Sequence, residues 1–413
     1  SYYNIALIKQ DQGLGEEAVE FLLKLLDLNP EHNDAKYDLA MIYKDKGLLE
    51  ESKIYFQEIL NSDQTNKYAV IGLANVFREM GNNSEAINSL RKVKQANLKD
   101  KTLFHSLGLC LVTIGEFQEG WRAIESRWEQ EDRDSSSWFK RANEVWSGNI
   151  TKKSVLLWRR GQGIGEDIIF LSLVREVKEM CSGLSVYVDP RLRSLCRRAM
   201  PEINFVKDIE ELQNVECDYH LPLGSVPGLI RNDISDFDRT VKGYLKADPE
   251  RVEAIRSELN LDGKTVIGIS WKSVNALNKA KKSVQLRDMG RIFSGLDVVL
   301  VNLQYGDVEE EIREFTKETG IDVVQCASVD NREDLDGLAA LIEVCDLVIS
   351  TSNVTIHMAG ALAKEAWALQ GYVADFWWLL ERTDSIWYPS LRLYRQPTLN
   401  DWDSVYVSIR KDL

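Results

Sequence analysis

From residue 1 to about residue 130 the chain repeats its pattern of small, large and apolar positions every 34 residues. Gly13, Gly47, Gly81 and Gly115 share one register, and Ala6, Ala40, Ala74 and Gly108 a second. Leu22, Phe56, Leu90 and Ile124 form a third, and Ala18, Ser52, Ala86 and Gly120 a fourth. Four registers kept over four copies predict a stack of similar units, each burying its apolar face against the next. Pro30 closes one copy, whereas Gln64 and Leu98 depart from that pattern. Ala6 occupies the eighth position of a copy, so the first copy is expected to lack its start and further copies are expected upstream. Trp121, Trp128, Trp138, Phe139 and Trp146 follow, and Trp138, Phe139 and Trp146 are expected to form a hydrophobic plug at the end of the array.

Beyond residue 150 the pattern changes to short apolar runs alternating with amphipathic stretches, which predicts parallel sheets with helices on their faces. Ser154 to Trp158 is the first buried strand, followed by a loop with Gly161, Gly163 and Gly165 and a helix from Asp167 to Val177. The loop misses the dinucleotide fingerprint G-x-G-x-x-G, and an acidic residue beside it suits a pyrophosphate poorly. Glu166 or Asp167 could be a general base for an incoming hydroxyl, or a helix N-terminal acid favoured by the dipole. LSVYVDP, INFVKD and CDYHLPLG supply further strands, with His220 near one strand end. DPERVEAIRSEL reads as a linking helix.

A second unit opens at KTVIGISWKS, where Trp271, Lys272 and Ser273 lie just past a strand. DVVLVNLQYGD and GIDVVQCASVD are the next two strands, placing Gln304 and Tyr305 at a strand tip. A loop with Lys279, Lys281 and Lys282 lies between. The fourth strand runs into the stretch Asp346 to Glu365. There Leu347–Ile349 feeds Ser350, Thr351, Ser352 and Asn353, and a helix opens near Thr355 with His357 in its first turn. Ala359, Gly360, Ala361 and Ala363 would let that helix lie close on a sheet. Backbone N–H groups at such a helix start hold phosphate well, although an ordinary Ser- or Thr-capped turn has the same look. In an open α/β sheet ligands bind at the C-terminal strand ends, where all these polar tips would converge. Trp377, Trp378, Trp387 and Tyr388 are read as core packing of a terminal helix, with Arg382 and Asp384 as polar groups that could line the cleft.

Composition narrows the function classes. A net charge of −14 speaks against a nucleic-acid partner. The six cysteines lack CxxC pairs, which suits reduced thiols and a cytoplasmic location. No apolar run approaches membrane-spanning length.

The 34-residue pattern resembles the tetratricopeptide repeat. Residues 150–413 resemble the two-Rossmann (GT-B) glycosyltransferases, and most of all bacterial members with such repeats ahead of a glycosyltransferase-9-like region. The segments that carry the likeness are LLWRRGQGIGEDIIF, GISWKS, KKSVQL, VNLQYGD, STSNVTIHMAGALAK and DFWWLLERTDSIWYPSLRLYRQ. Repeats fused to this fold also resemble protein O-GlcNAc transferases and bacterial flagellin O-glycosyltransferases that use nonulosonic (pseudaminic or legionaminic) sugars.

The fold class expected is therefore an all-α repeat solenoid followed by an α/β GT-B pair of doubly wound domains. Repeats are expected over 1–130, a linker over 131–150, an acceptor-side half over 151–247, a linker helix over 248–261 and a donor-side half over 262–413. The resemblance implies a CMP- or UDP-linked sugar as substrate, no separate cofactor and no metal, and an acceptor protein such as flagellin guided by the repeats. It puts Lys272, Thr351, Ser352, Asn353, Thr355 and His357 around the donor phosphate, with Gln304 near the base or ribose. Gly163 and Gly165 would shape the acceptor loop, and Glu166, Asp167 and Lys272 would be catalytic. The chain departs from its relatives in three places. Gly165-Glu166 stands where many have Gly-Asp, and Lys272 where an arginine is common. The turn Thr351–Thr355 lacks the Asp-Thr-Gly of heptosyltransferase-like members, which argues against a heptose donor. A catalytically inert docking unit is the reading from another class.

Overall fold

The computed structural model describes residues 1–96, 100–126, 143–160, 163–240, 242–261, 263–273, 283–373 and 375–413, the side chains of 93–96 excepted. Trp128, Trp138, Phe139, Gly161 and the lysines 279, 281 and 282 lie outside the described residues. The chain divides into two compact units, Ser1–Asp132 and Arg133–Leu413.

The first unit is four pairs of helices: α1 (Tyr2–Asp11) with α2 (Gly15–Leu28), α3 (Asn33–Asp45) with α4 (Leu49–Ser62), α5 (Lys67–Glu79) with α6 (Asn83–Ala96), and α7 (Lys101–Thr113) with α8 (Phe117–Ile124). Each of the four spaced glycines follows the first helix of a pair, with φ of 75°, 77°, 78° and 87°. A side chain there would meet its own backbone, so the register demands glycine. The small-residue registers mark where helices cross. Ser52 Oγ donates to the carbonyl of Ala40 at 2.6 Å, and a methyl on Gly108 would stand 2.7 Å from the Gly120 oxygen. The large register fills the gaps so left, and Leu22, Phe56, Leu90 and Ile124 are all buried. A further register shows only in three dimensions. His32, Asn66 and Asp100 each cap the following helix by accepting from backbone N–H groups.

The second unit holds two parallel sheets. The first has the order β1-β5-β2-β3-β4, from β1 (Glu144–Val145), β2 (Ser154–Trp158), β3 (Gly183–Tyr187), β4 (Asn204–Phe205) and β5 (Tyr219–Pro222). The second runs β11-β10-β9-β6-β7-β8, from β6 (Thr265–Ser270), β7 (Val298–Asn302), β8 (Val323–Val324), β9 (Leu347–Thr351), β10 (Ala366–Gln370) and β11 (Leu391–Arg395). The helices of this unit are α9 (Ile164–Leu171), α10 (Val174–Met180), α11 (Arg193–Ala199), α12 (Ile209–Asn214), α13 (Pro227–Ile230) and α14 (Pro249–Leu259), followed by α15 (Leu286–Phe293), α16 (Glu309–Thr319), α17 (Leu335–Val344), α18 (Val354–Ala361) and α19 (Trp402–Asp412). Chain direction across the second sheet reverses between β6 and β9, and across the first between β2 and β5. These are the switch points at which a doubly wound sheet opens a crevice at its C-terminal edge.

The C-terminal segment differs from the expected terminal helix. Trp377 and Trp378 lie in a short 3-10 turn, Phe376–Trp378, and Trp387 and Tyr388 lie in the loop that leads into β11. β10 and β11 both belong to the sheet, and the closing helix is α19. The physical reason is burial on both sides. All five residues of β10 are buried, so the run carries neither alternation nor a helical stripe. Trp367 and Tyr394 pack against Val405, Tyr406 and Ile409 of α19 on one face. α18 also stops sooner than its small residues suggested, because Ala363 adopts left-handed φ of 61°. Trp146 is buried beside β1, its N–H donating to His220 O at 3.0 Å.

The two sheets of this unit belong to halves that touch. Arg198 on α11 makes two hydrogen bonds, 2.9 and 2.8 Å, to the Asp336 carboxylate on α17. Arg191 Nη1 donates to the carbonyl of Arg332 at 3.0 Å.

Candidate active site at the strand tips

At the second switch point the tips of β6, β7 and β9 are knitted by neutral side chains. Gln304, 1% exposed, turns its Oε1 inward to accept from Ser270 Oγ (3.0 Å), Trp271 N (2.9 Å) and Lys272 N (2.8 Å). Asn353 caps α18 by accepting from Thr355 N at 3.0 Å, and its Nδ2 donates to Ser270 Oγ at 2.8 Å and the Lys272 carbonyl at 3.3 Å. Thr351 and Thr355 are fully buried, the latter donating through Oγ1 to the Leu303 carbonyl at 3.3 Å. Ser352 donates to Asp375 at 2.9 Å and accepts from the Trp378 indole N–H at 2.9 Å. The expected donor-binding residues are therefore brought together. Their side chains bond neighbouring strands, the covering loop and the start of α18, and so fix the backbone there.

Lys272 is partly exposed and ion-paired with Glu311 of α16, which also accepts from the Trp271 indole at 2.8 Å. His357 is buried, its ring stacked on Trp378 at 5.2 Å and its Nδ1 3.1 Å from the Tyr388 hydroxyl. Burial drives the Tyr388 hydroxyl well above its ordinary pKa, so it stays protonated. Gly165 sits against that histidine, since a methyl there would be 2.8 Å from His357 Cδ2. The acceptor-side loop and the first turn of α18 thus meet through a missing side chain.

Beside this knot lies open space. A cavity of about 560 Å³ spans the tips of β7 and β8, lined by residues including Asn302, Gln304, Tyr305, Ser328, Asp330 and Asn331. Asn331 donates to the carbonyls of Asn302 (3.1 Å) and Gln304 (3.2 Å), while its buried Oδ1 has no partner among the described residues. Glu258, on α14, braces the rim by accepting from Ala327 N (2.9 Å), Ser328 N (3.3 Å) and Ser328 Oγ (2.5 Å). The Ser328 hydroxyl, with help from Cys326 and these N–H groups, holds the Glu258 carboxyl below its ordinary pKa.

The mouth of the first sheet is built from charges. Asp167, fully buried, faces Arg159 Nε at 2.9 Å and accepts from Asp189 N at 3.0 Å. Arg159 also reaches Asp189 at 3.1 Å, which in turn is gripped by Arg191 through Nε at 2.9 Å. Burial raises the Asp167 carboxyl to about 7 against the pull of Arg159. Burial works the same way on Asp189, but the hydrogen bonds from Arg191 and the charge of Arg159 outweigh it and hold that carboxyl low. Glu166, half-buried, stands in the first turn of α9 next to Gly165. Of the two candidate bases, Asp167 is thus enclosed in an ion-paired cluster and Glu166 sits nearer the surface. His220 accepts the Trp158 indole N–H at 3.2 Å, a structural bond between neighbouring strands.

Sequence reasoning missed Glu311, Asn331, Glu258 and Asp375. Each acts on a residue at least 23 positions away or on a backbone group, so no local pattern marks it. Asn331 alone had a usable signal, being a polar residue shortly after a strand of the right sheet. Arg382 and Asp384 pair with each other at 3.0 Å. The cysteines are all unpaired, and no helix among the described residues is long and apolar enough to cross a membrane.

Comparison with known proteins agrees with this architecture. A tetratricopeptide-repeat family model matches residues 1–32 and 34–66. Protein FlbA of Caulobacter vibrioides is 29% identical over 311 residues, 71% of this chain and 52% of FlbA. The chain thus spans about half the length of that curated relative. A glycosyl transferase family 9 structure from Veillonella parvula is 11% identical with a TM-score of 0.44, covering 65% of this chain and 97% of its own. YrrB, a tetratricopeptide-repeat protein described as having an unusual peptide-binding site, is 24% identical with a TM-score of 0.28 over 32% of this chain and 67% of its own. The chain joins tetratricopeptide repeats to an α/β region built on two parallel sheets.

Proposed function

We propose that this protein is an O-glycosyltransferase that moves a sugar from a nucleotide donor to Ser or Thr of an acceptor protein recruited by its repeats. The observation that carries the reading is the 560 Å³ cavity at the tips of β7 and β8, next to the switch point of the second sheet. That volume suits a nucleoside. Asn331 Oδ1 and the polar rim offer partners for base or ribose, and the start of α18 lies two strands away for the phosphate.

In this reading Lys272 leaves Glu311 for the donor phosphate and, with the first-turn N–H groups of α18, stabilises the departing nucleotide. No metal ion is called for. Glu166 takes the proton of the acceptor hydroxyl as its oxygen attacks the anomeric carbon and the bond to phosphate breaks. The family resemblance favours a CMP-linked nonulosonic acid over UDP-GlcNAc, and flagellin as acceptor.

Titration of the protein with CMP, UDP and GDP tests the reading. One of them is expected to bind, and Lys272→Ala to weaken a donor by about tenfold or more, the worth of one charge-assisted hydrogen bond. Glu166→Ala should leave binding intact and slow turnover by about 10²-fold or more. Wild-type affinity in Lys272→Ala removes that lysine from the site. Failure of every nucleotide to bind leaves only the docking reading.

A further inference from the structure

Two groups at the far tips of the second sheet, one buried and one partly buried, have no part in the site so far. Gln370 and Arg395 end neighbouring strands and are register partners across the β10–β11 pair, so their side chains leave the same face of the sheet. Gln370 is 1% exposed, and its Nε2 has no acceptor among the described residues. Arg395 donates through Nη2 to the carbonyls of Leu379 (2.6 Å) and Trp378 (3.4 Å), while its buried Nε and Nη1 have no acceptor there either. The indole N–H of Trp377, one residue from the carbonyl that Arg395 grips, is likewise buried and unpaired among the described residues.

A buried guanidinium is normally matched by a carboxylate, and leaving such a charge unmatched costs several kcal/mol. Here burial lowers the Arg395 pKa to about 10, and no acidic group among the described residues opposes that. Asp375, in the covering loop, is engaged by Ser352. Among the described residues the row therefore holds one positive charge and several N–H donors without an anion.

We infer that Arg395 and Gln370 form a recognition site for a carboxylate carried on the transferred sugar. The inference rests on the donor reading above. Trp378 links the two places, since its indole bonds Ser352 beside the start of α18 and its carbonyl bonds Arg395. A single residue thus bridges the start of α18 and the guanidinium. A carboxylate matches the charge one for one and accepts from guanidinium and amide N–H together. A phosphate would bring a second negative charge into a site with a single cation. Trp377, partly exposed in the 3-10 turn, offers an apolar face for the sugar ring.

The test is calorimetric titration of the full chain with two matched probe pairs, UDP-glucuronate against UDP-glucose and CMP-N-acetylneuraminate against CMP. The acidic member of a pair that binds should be at least about tenfold tighter. Arg395→Gln should erase that preference and leave the affinity for bare nucleotide unchanged, and Arg395→Lys should restore part of it. Gln370→Leu, which keeps the charge and the volume, should reduce the preference severalfold and carries the test if Arg395→Gln does not fold. A preference that survives both variants, or an equal loss for acidic and neutral ligands, would show Arg395 to be only a strut for the loop. Bare nucleotides that bind with no gain from an acidic sugar overturn this inference alone. Absence of all nucleotide binding overturns the donor reading along with it.

Discussion

The two sheets of the α/β unit have the same reversal of strand order yet fill their mouths in opposite ways. The first uses Arg159, Arg191, Asp167 and Asp189, ionisable groups paired with one another. The second uses Gln304, Asn353, Ser270 and Thr355, all neutral, each bonded to a neighbouring strand or to the helix start. A cluster whose charged groups are paired with one another offers an incoming ion little. A neutral amide knot leaves the dipole of α18 to act on an anion, with the Lys272–Glu311 pair beside it. Under the proposed transferase function the second mouth would take the charged substrate and the first would hold the shape of the acceptor side.

The comparison can be broken most sharply at Arg159. Arg159→Met strands buried carboxylates and should destabilise the α/β unit by about 3–5 kcal/mol in urea unfolding. A loss under about 1 kcal/mol would mean the cluster is not the buried ion network described. Next is its pH response. Asp167 titrates near 7 in the fold and near about 4 unfolded, so its contribution is full below about 4 and fades as pH rises through about 7. Wild type should therefore lose stability across that window by up to a few kcal/mol, and Asp167→Asn should flatten this part of the profile.

The neutral mouth should respond less and without pH dependence. Asn353→Ala removes a helix cap and one of the hydrogen bonds of each of two buried serine hydroxyls, at about 2 kcal/mol. Smallest is Gly165→Ala, where a methyl meets a histidine ring pinned by Trp378 and Tyr388. Overpacking there should cost about 1–2 kcal/mol, read as a lower melting temperature. A Gly165→Ala protein as stable as wild type would show that the two halves are not closed on each other at that point.

The repeats were legible because their chemistry is local. A left-handed glycine and a helix crossing each demand one residue type, and the demand recurs every 34 positions. β2 to β9 were legible as apolar runs with polar ends, whereas β1 is two exposed residues inside the stretch read as a linker. β10 and β11 were not, because a fully buried strand after a helix carries no change of period to announce it. At the site, sequence found the residues at the strand tips without finding what they do with their side chains. Gln304 and Thr355 read as ligand groups and turn out to be bonded inward, since strand adjacency sets their partners. Arg395 read as nothing at all, one cation at the end of an unrecognised strand.

Glu258 gives the helix between the halves a second duty. Its carboxylate fastens α14 to residues 327 and 328 at the edge of the β7–β8 cavity. Near its other end Arg251 bonds Asp334, which caps the start of α17. A helix that reads as a link in the sequence is thus stitched along its length to the second half, and serves as a buttress for the wall of the pocket.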